Sequence, residues 1–174
     1  MPVVTDLISL QTFFEMAVNT LGTVDDFHAV SSGSDGVKEI NSLFERTIKP
    51  GQTVAPYQVA ETPLTDNAAG LTQATFACTL MIVRKMDSTV QTQASKLEAR
   101  NDTWLRMLRL LGLIRQAAEW YAANVTEVAG QAYEIEFRIF QDKLQPLGSI
   151  ANAHTQGWLV DLDVTIPVNG LMYS

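Results

Sequence analysis

The sequence predicts an α+β fold, a single antiparallel or mixed sheet of about four strands with helices packed on it. Apolar residues recur at helical spacing over 5–21, 35–48 and 101–124, and alternate at strand spacing over 72–86, 132–141 and 158–168. In chain order these segments read as helices, a hairpin, a helix and a closing pair of strands, without the regular strand–helix alternation of a parallel sheet. At 174 residues the chain is expected to form one domain, 1–174, with N-terminal helical segments over 1–50 and a sheet with a central helix over 53–168.

Thr5 or Asp6 can cap the first helix, which presents Leu7, Leu10, Phe14, Ala17 and Leu21 on one face and stops at Gly22. Residues 24–31 read as a short strand or a loop. Ser34 is the expected cap of a second helix over 35–48, with Val37, Ile40, Leu43, Phe44 and Ile48 inward and Pro50-Gly51 ending it. A strand over 53–62 follows, which Pro56 confines to an edge or irregular role. Residues 63–70, with Asp66-Asn67, read as a turn-rich connection to the long strand 72–86; the two strands form an antiparallel hairpin. That long strand is apolar on both faces in its second half, as for a strand covered on both sides. A polar stretch of helical composition runs to Arg100. Asn101-Asp102 caps afresh, so the two stretches form either one long helix or a helix with a break, and a break or loop within 87–101 is the favoured reading. After the central helix, Gly130 precedes a strand over 132–141, a weakly patterned connection spans 142–157, and the clearest alternation closes the fold over 158–168.

The central helix, NDTWLRMLRLLGLIRQAAEWYAAN, carries more apolar surface than one core can cover. Trp104, Leu108, Leu111 and Ala118 form one stripe, whereas Leu105, Leu113 and Trp120 fall away from it, unlike the single stripe of an ordinary surface helix. A second burying partner is expected, and Trp104, Leu105, Arg106, Arg109, Leu113 and Trp120 are the candidate oligomer interface. The charge is also uneven. Seven of the twelve basic residues lie between Arg84 and Arg115, making that segment net +4 and the remainder −11. This is either a solvated helix surface or a positive patch that meets an acidic patch on a neighbour, as head-to-tail packing favours. The overall charge of −7 argues against a protein that grips nucleic-acid phosphates. Glu134, Glu136, Asp161 and Asp163 fall on the polar sides of the last two strands and form an acidic sheet surface if those strands pair.

The residue chemistry contains no recognisable catalytic set. His28 and His154 are far apart and lack metal-ligand spacing, and no nucleophile elbow, phosphate-binding loop or dinucleotide fingerprint occurs. Asp25-Asp26-Phe27-His28 is a conceivable metal or acid–base cluster, but adjacent loop carboxylates are usually solvated. Ser32-Gly33-Ser34-Asp35-Gly36 can offer amides to an anion or simply cap a helix. The lone Cys78, inside a strand pattern, reads as an inert buried thiol. The first ten residues lack the pattern of a signal peptide, Arg106, Arg109 and Arg115 exclude a membrane span by the central helix, and no cofactor is implied.

The layout of N-terminal helix, long hairpin (72–86), greasy helix (104–121) and closing strands (133–140 and Gly157-Trp158-Leu159-Val160-Asp161-Leu162-Asp163-Val164) resembles the tail-terminator, tail-completion and neck or connector ring proteins of tailed bacteriophages. The resemblance covers residues 53–168 and is one of layout and strand character. It implies a non-enzymatic virion protein, made in the bacterial cytoplasm, that forms a homo-oligomeric ring, commonly a hexamer, at the head–tail junction or tail. It further implies adjacent neck or tail proteins as partners, no membrane, and DNA passing through a lumen lined by Glu134, Glu136, Asp161 or Asp163. The loops 63–70 and 142–157, and the apolar end Leu171-Met172-Tyr173, would then reach neighbours. Two other classes stay open: a small α+β ligand-binding or enzymatic domain, and a non-viral module that associates through the greasy helix.

Overall fold

The computed structural model of the chain describes residues 3–60, 64–66, 72–89, 91–128, 131–140, 143–150 and 153–168. Their order is α1 (Leu7–Leu21), β1 (Asp26–Val30), α2 (Gly33–Ser42) continued by a π-helical turn (Leu43–Thr47), β2 (Thr53–Val59), β3 (Leu64–Asp66), β4 (Thr72–Lys85), α3 (Gln93–Asn124), β5 (Glu127–Val128), β6 (Gln131–Ala132), β7 (Glu136–Ile139), β8 (Gln145–Leu147) and β9 (Thr155–Pro167). The class is α+β, with a mixed main sheet.

Two long strands make the frame. β4 and β9 pair antiparallel in continuous register from Gln73↔Pro167 to Lys85↔Thr155. β2 and β3 extend the sheet beyond β4, and β7 and β8 extend it beyond β9. β1 adds a parallel edge outside β2. The main sheet therefore has seven strands where the sequence suggests about four. The extra ones, β1, β3 and β8, are too short to show a period: β3 lies within the expected turn 63–70 and β8 within the expected connection 142–157. Of the two roles open to Pro56, β2 takes the irregular one, since β1 lies outside it. The β2–β4 register passes from Val54↔Val83 to Tyr57↔Leu80, with no paired residues at Ala55 and Pro56, so the missing proline N–H is accommodated inside the sheet.

One face of the sheet carries Ala74, Cys78, Leu80 and Ile82 from β4 with Val160, Leu162, Val164 and Ile166 from β9, all buried under α1 and α3. α1 begins where the sequence indicates. The Asp6 carboxylate accepts from the Ser9 N–H while the Ser9 hydroxyl accepts from the Asp6 N–H, a reciprocal cap. Gly22, at φ 61°, closes the helix in the left-handed region. The inward residues are Leu10, Phe13, Phe14 and Val18; Leu7, expected inward, is exposed.

α3 is a single helix of 32 residues. The non-helical stretch expected within 87–101 ends at Thr92, whose side chain accepts from the Ser95 N–H, and Asn101-Asp102 lies inside the helix rather than capping it. Its buried stripe is Ala99, Thr103, Met107, Leu110, Leu111, Ile114, Ala117 and Tyr121. This corrects the expected stripe: Leu108 faces outward, and Thr103 is buried because its hydroxyl donates to the Ala99 carbonyl at 2.9 Å.

The other face of the sheet carries a smaller apolar cluster. Ile40 and Phe44 of the α2 segment, with Ile48, pack on Val54, Met81 and Val83. α2 starts at Gly33, before the expected Ser34 cap, and Val37 is exposed instead of inward. Lys85 clamps this layer to the sheet. Its ammonium donates to the carbonyls of Phe44 and, at 2.8 Å, Ile48, satisfying the end of the π-helical turn.

Candidate interaction surfaces

The outer side of α3 divides the residues expected at an interface into two groups. Trp104 is half-buried and packs on Trp158 of β9, ring centroids 4.5 Å apart, while the Trp158 indole N–H donates to the Arg100 carbonyl at 3.0 Å. Arg106 is committed to Asp102 one turn earlier, with contacts of 3.1 and 2.7 Å, and Arg84 approaches the same carboxylate at 3.6 Å. Leu113 is half-buried in a shallow apolar groove between α1 and α3, lined by Phe13, Met16, Ala17 and Gln116. Those three therefore have partners within the chain.

Leu105, Arg109 and Trp120 do point to solvent. Their positions, four and eleven residues apart, place them on one helical face. Leu108 extends this face, and Leu105, Leu108 and Trp120 are 47%, 42% and 40% exposed. Leu97 at the start of α3 and Met16 and Ile8 on α1 are exposed as well. Large apolar side chains thus recur over the outside of the two-helix layer, whereas α2 shows only Val37.

The expected acidic surface lies on the open part of the opposite sheet face. β7 pairs with β9 so that Glu136 stands beside Thr165 and Arg138 beside Asp163. Asp161 accepts from the Thr79 hydroxyl at 2.7 Å, and the Thr75 and Thr165 hydroxyls meet at 3.0 Å. Glu134 is exposed just before β7, between the buried Tyr133 and Ile135. Glu136, Asp161 and Asp163 therefore share one face, but Arg138 stands among them, with its guanidinium 5.0 Å from the Phe140 ring. Sequence alternation assigned the acids to a face; it omitted the threonine ladder between them.

The segments read as conceivable chemical sites are occupied by their own chain. Asp25 accepts from the Thr53 N–H at 2.7 Å, and Asp26 lies 3.4 Å from His28 Nε2. Before α2, the Ser31 N–H and hydroxyl donate to Glu39, at 2.7 and 2.8 Å, so an internal carboxylate takes donors that an external anion would need. Those bonds, led by the backbone one, draw the Glu39 carboxyl below its ordinary range. Gly36 closes this turn so tightly that a Cβ would overlap the Ser31 carbonyl oxygen. Cys78 is buried against the Tyr57 hydroxyl at 3.7 Å, and burial pushes its thiol up to about 12. Burial likewise raises Tyr57 well above its usual value. Among the described residues, no group of three or more His, Cys, Asp and Glu can hold a metal ion, and no helix is long and apolar enough to cross a membrane. The loop 63–70 and the end Leu171-Met172-Tyr173 lie largely or wholly outside the described residues. No protein-family model matches the chain, and no curated protein matches it in sequence.

Proposed function

We propose that the chain is a non-enzymatic structural subunit of a tailed bacteriophage, a homo-oligomeric ring at the head–tail junction or tail. The observation that carries the reading is the row Leu105, Leu108 and Trp120 along the outside of a helix whose other side is already buried in the core. Apolar area on a helix with a satisfied core stripe gains most from a partner. A ring needs two unlike patches on each subunit. The outer face of α3, with Arg109, supplies an apolar and basic one; the acidic residues elsewhere in the chain supply its complement. Glu134, Glu136, Asp161 and Asp163 then face a lumen where like charge keeps passing DNA from adhering. The phage assignment itself rests on the resemblance of layout, and adjacent neck or tail proteins are the expected partners.

Light scattering and negative-stain imaging of the purified protein test this reading. Rings are expected, and Leu105→Glu with Leu108→Glu should give a folded monomer, because both side chains lie outside the core. A wild-type protein that stays monomeric both alone and with phage neck and tail proteins would remove the proposal. In that case a ligand-binding or enzymatic domain becomes the better reading, whereas a dimer without rings would favour a non-viral interaction module.

A further inference from the structure

The seven basic residues between Arg84 and Arg115 differ in how far they are used. Lys85 is spent on carbonyls, and Arg84 and Arg106 converge on Asp102. Lys96 and Arg100, one turn apart on α3, enter no ion pair among the described residues. They meet at a cleft of about 210 Å³ between the first turns of α3 and the start of β9, completed by Gln93, Leu97 and Gln156.

The unspent groups in this cleft are hydrogen-bond donors. Arg100 Nε is buried and has no hydrogen-bond partner among the described residues. Gln156, 9% exposed, lines the cleft from the sheet side. It lies on the β9 face that turns toward α3, in register with Arg84. A buried donor left unpaired costs free energy that a ligand supplying an acceptor recovers. The early turns of a helix add a positive potential to the two cations. Asp102, a nearby acid, already has Arg106 and Arg84, so the cleft has a surplus of positive charge. Its volume is below the roughly 300 Å³ at which drug-sized ligands are usually held, which limits the occupant to a small group.

We propose that this cleft is an oxyanion site, in which Arg100, Lys96 and Gln156 hold a carboxylate or phosphate group. A guanidinium matches two oxygens of either group, and the ammonium adds a point charge. Leu97, 67% exposed at the lip, offers an apolar shoulder to whatever carries the anion. The group has two possible sources: a free or esterified phosphate, or an acidic side chain from a second copy of this chain.

The test is a low-salt NMR titration of the intact protein with inorganic phosphate and, separately, with acetate, following the Arg100 Nε–H and Gln156 side-chain amide signals. Saturable shifts at both are expected. Lys96→Gln and Arg100→Gln should each weaken binding about tenfold or more, and Arg109→Gln, on the outer face, should leave it unchanged. Lys96 is exposed, so its variant carries the test should Arg100→Gln fail to fold. Phosphate binding much tighter than acetate assigns the site to phosphate. Comparable binding of the two, with self-association lost in Lys96→Gln, assigns it to a carboxylate of a second copy. Shifts that never saturate, or that are the same size in Lys96→Gln, would overturn the proposal. The anion titration does not depend on ring assembly, so its failure would leave the ring reading to be judged by imaging alone.

Discussion

The two faces of the sheet are made from alternate residues of the same strands, yet they are closed in different ways. Under α1 and α3 the sheet is dry: Leu80, Ile82, Val160, Leu162, Val164 and Ile166 are each no more than 1% exposed. On the other face, α2 and its π-helical turn cover only the end near Val54, Met81 and Val83, and the rest is finished with threonine hydroxyls and carboxylates. Where a long helix spans the sheet, a continuous apolar layer holds it down, and the Trp158–Arg100 hydrogen bond and the Arg84–Asp102 contact only add to it at one end. Where a short helix covers only part of it, a directed polar clamp is added, and Lys85 is that clamp.

Substitutions can break this contrast, starting with its strongest element. Leu162→Ala, in the middle of the dry face, should cost about 2–5 kcal/mol in chemical denaturation, since α1 and α3 cannot both collapse into the space. A loss as small as that of a surface change would mean that the two faces are equally tolerant. Lys85→Met, which keeps the length of the stem but frees two carbonyls, should cost about 1–3 kcal/mol. Amide hydrogen exchange should quicken first in 33–48 and leave α3 protected; uniform loss of protection would deny α2 its separate anchoring.

The smallest effect concerns how each layer begins. Asp6 caps α1 and Glu39 ties the entry to α2, and backbone N–H donors hold both carboxyls below their ordinary range. A depressed carboxyl stabilises the fold above its unfolded pKa, near 4, and that stability is lost as pH falls through the lower folded value. Asp6→Ala should cost about 1 kcal/mol at neutral pH, whereas Asp6→Asn should stay close to the parent because asparagine caps nearly as well. Both should lose less stability on acidification. An Asp6→Asn variant with an unchanged acid slope would show that Asp6 does not contribute to it.

Much of this architecture was legible wherever a residue pattern had a single physical cause. The N-terminus of α1 followed from the Thr5-Asp6 pair, of which Asp6 is the cap, and β4 and β9 from their long strand-period patterns. The phase of α3 was not legible from apolar spacing, because two of its buried positions are the small Ala99 and the hydroxyl-bearing Thr103, which a search for large apolar residues passes over. Its start was hidden because Asn101-Asp102 has the composition of a cap although it lies inside the helix, while the observed cap, Thr92, precedes a polar stretch with no apolar stripe to mark it. The candidate interface divided along the same line. Leu105, Arg109 and Trp120 lie on the exposed side, while Trp104 and Leu113 find partners on β9 and α1 that no spacing within the helix could specify; the Arg106–Asp102 pair, four residues apart, is the one that helical spacing does specify. The donors of the oxyanion cleft were not legible together, since Lys96 and Gln156 meet only after α3 has docked on β9.

Cys78 makes the dry face measurable from inside. It is the only thiol in the chain, 2% exposed and held against Tyr57. A thiol reagent in solution can reach it only when the layers around β4 part. With closing faster than modification, the labelling rate relative to a free thiol equals the fraction of molecules open. The unsubstituted protein thus carries a chemical clock for its own opening. Run on dilute protein and again under the conditions that test the proposed ring, that clock would show whether a neighbour on α3 steadies the core beneath it.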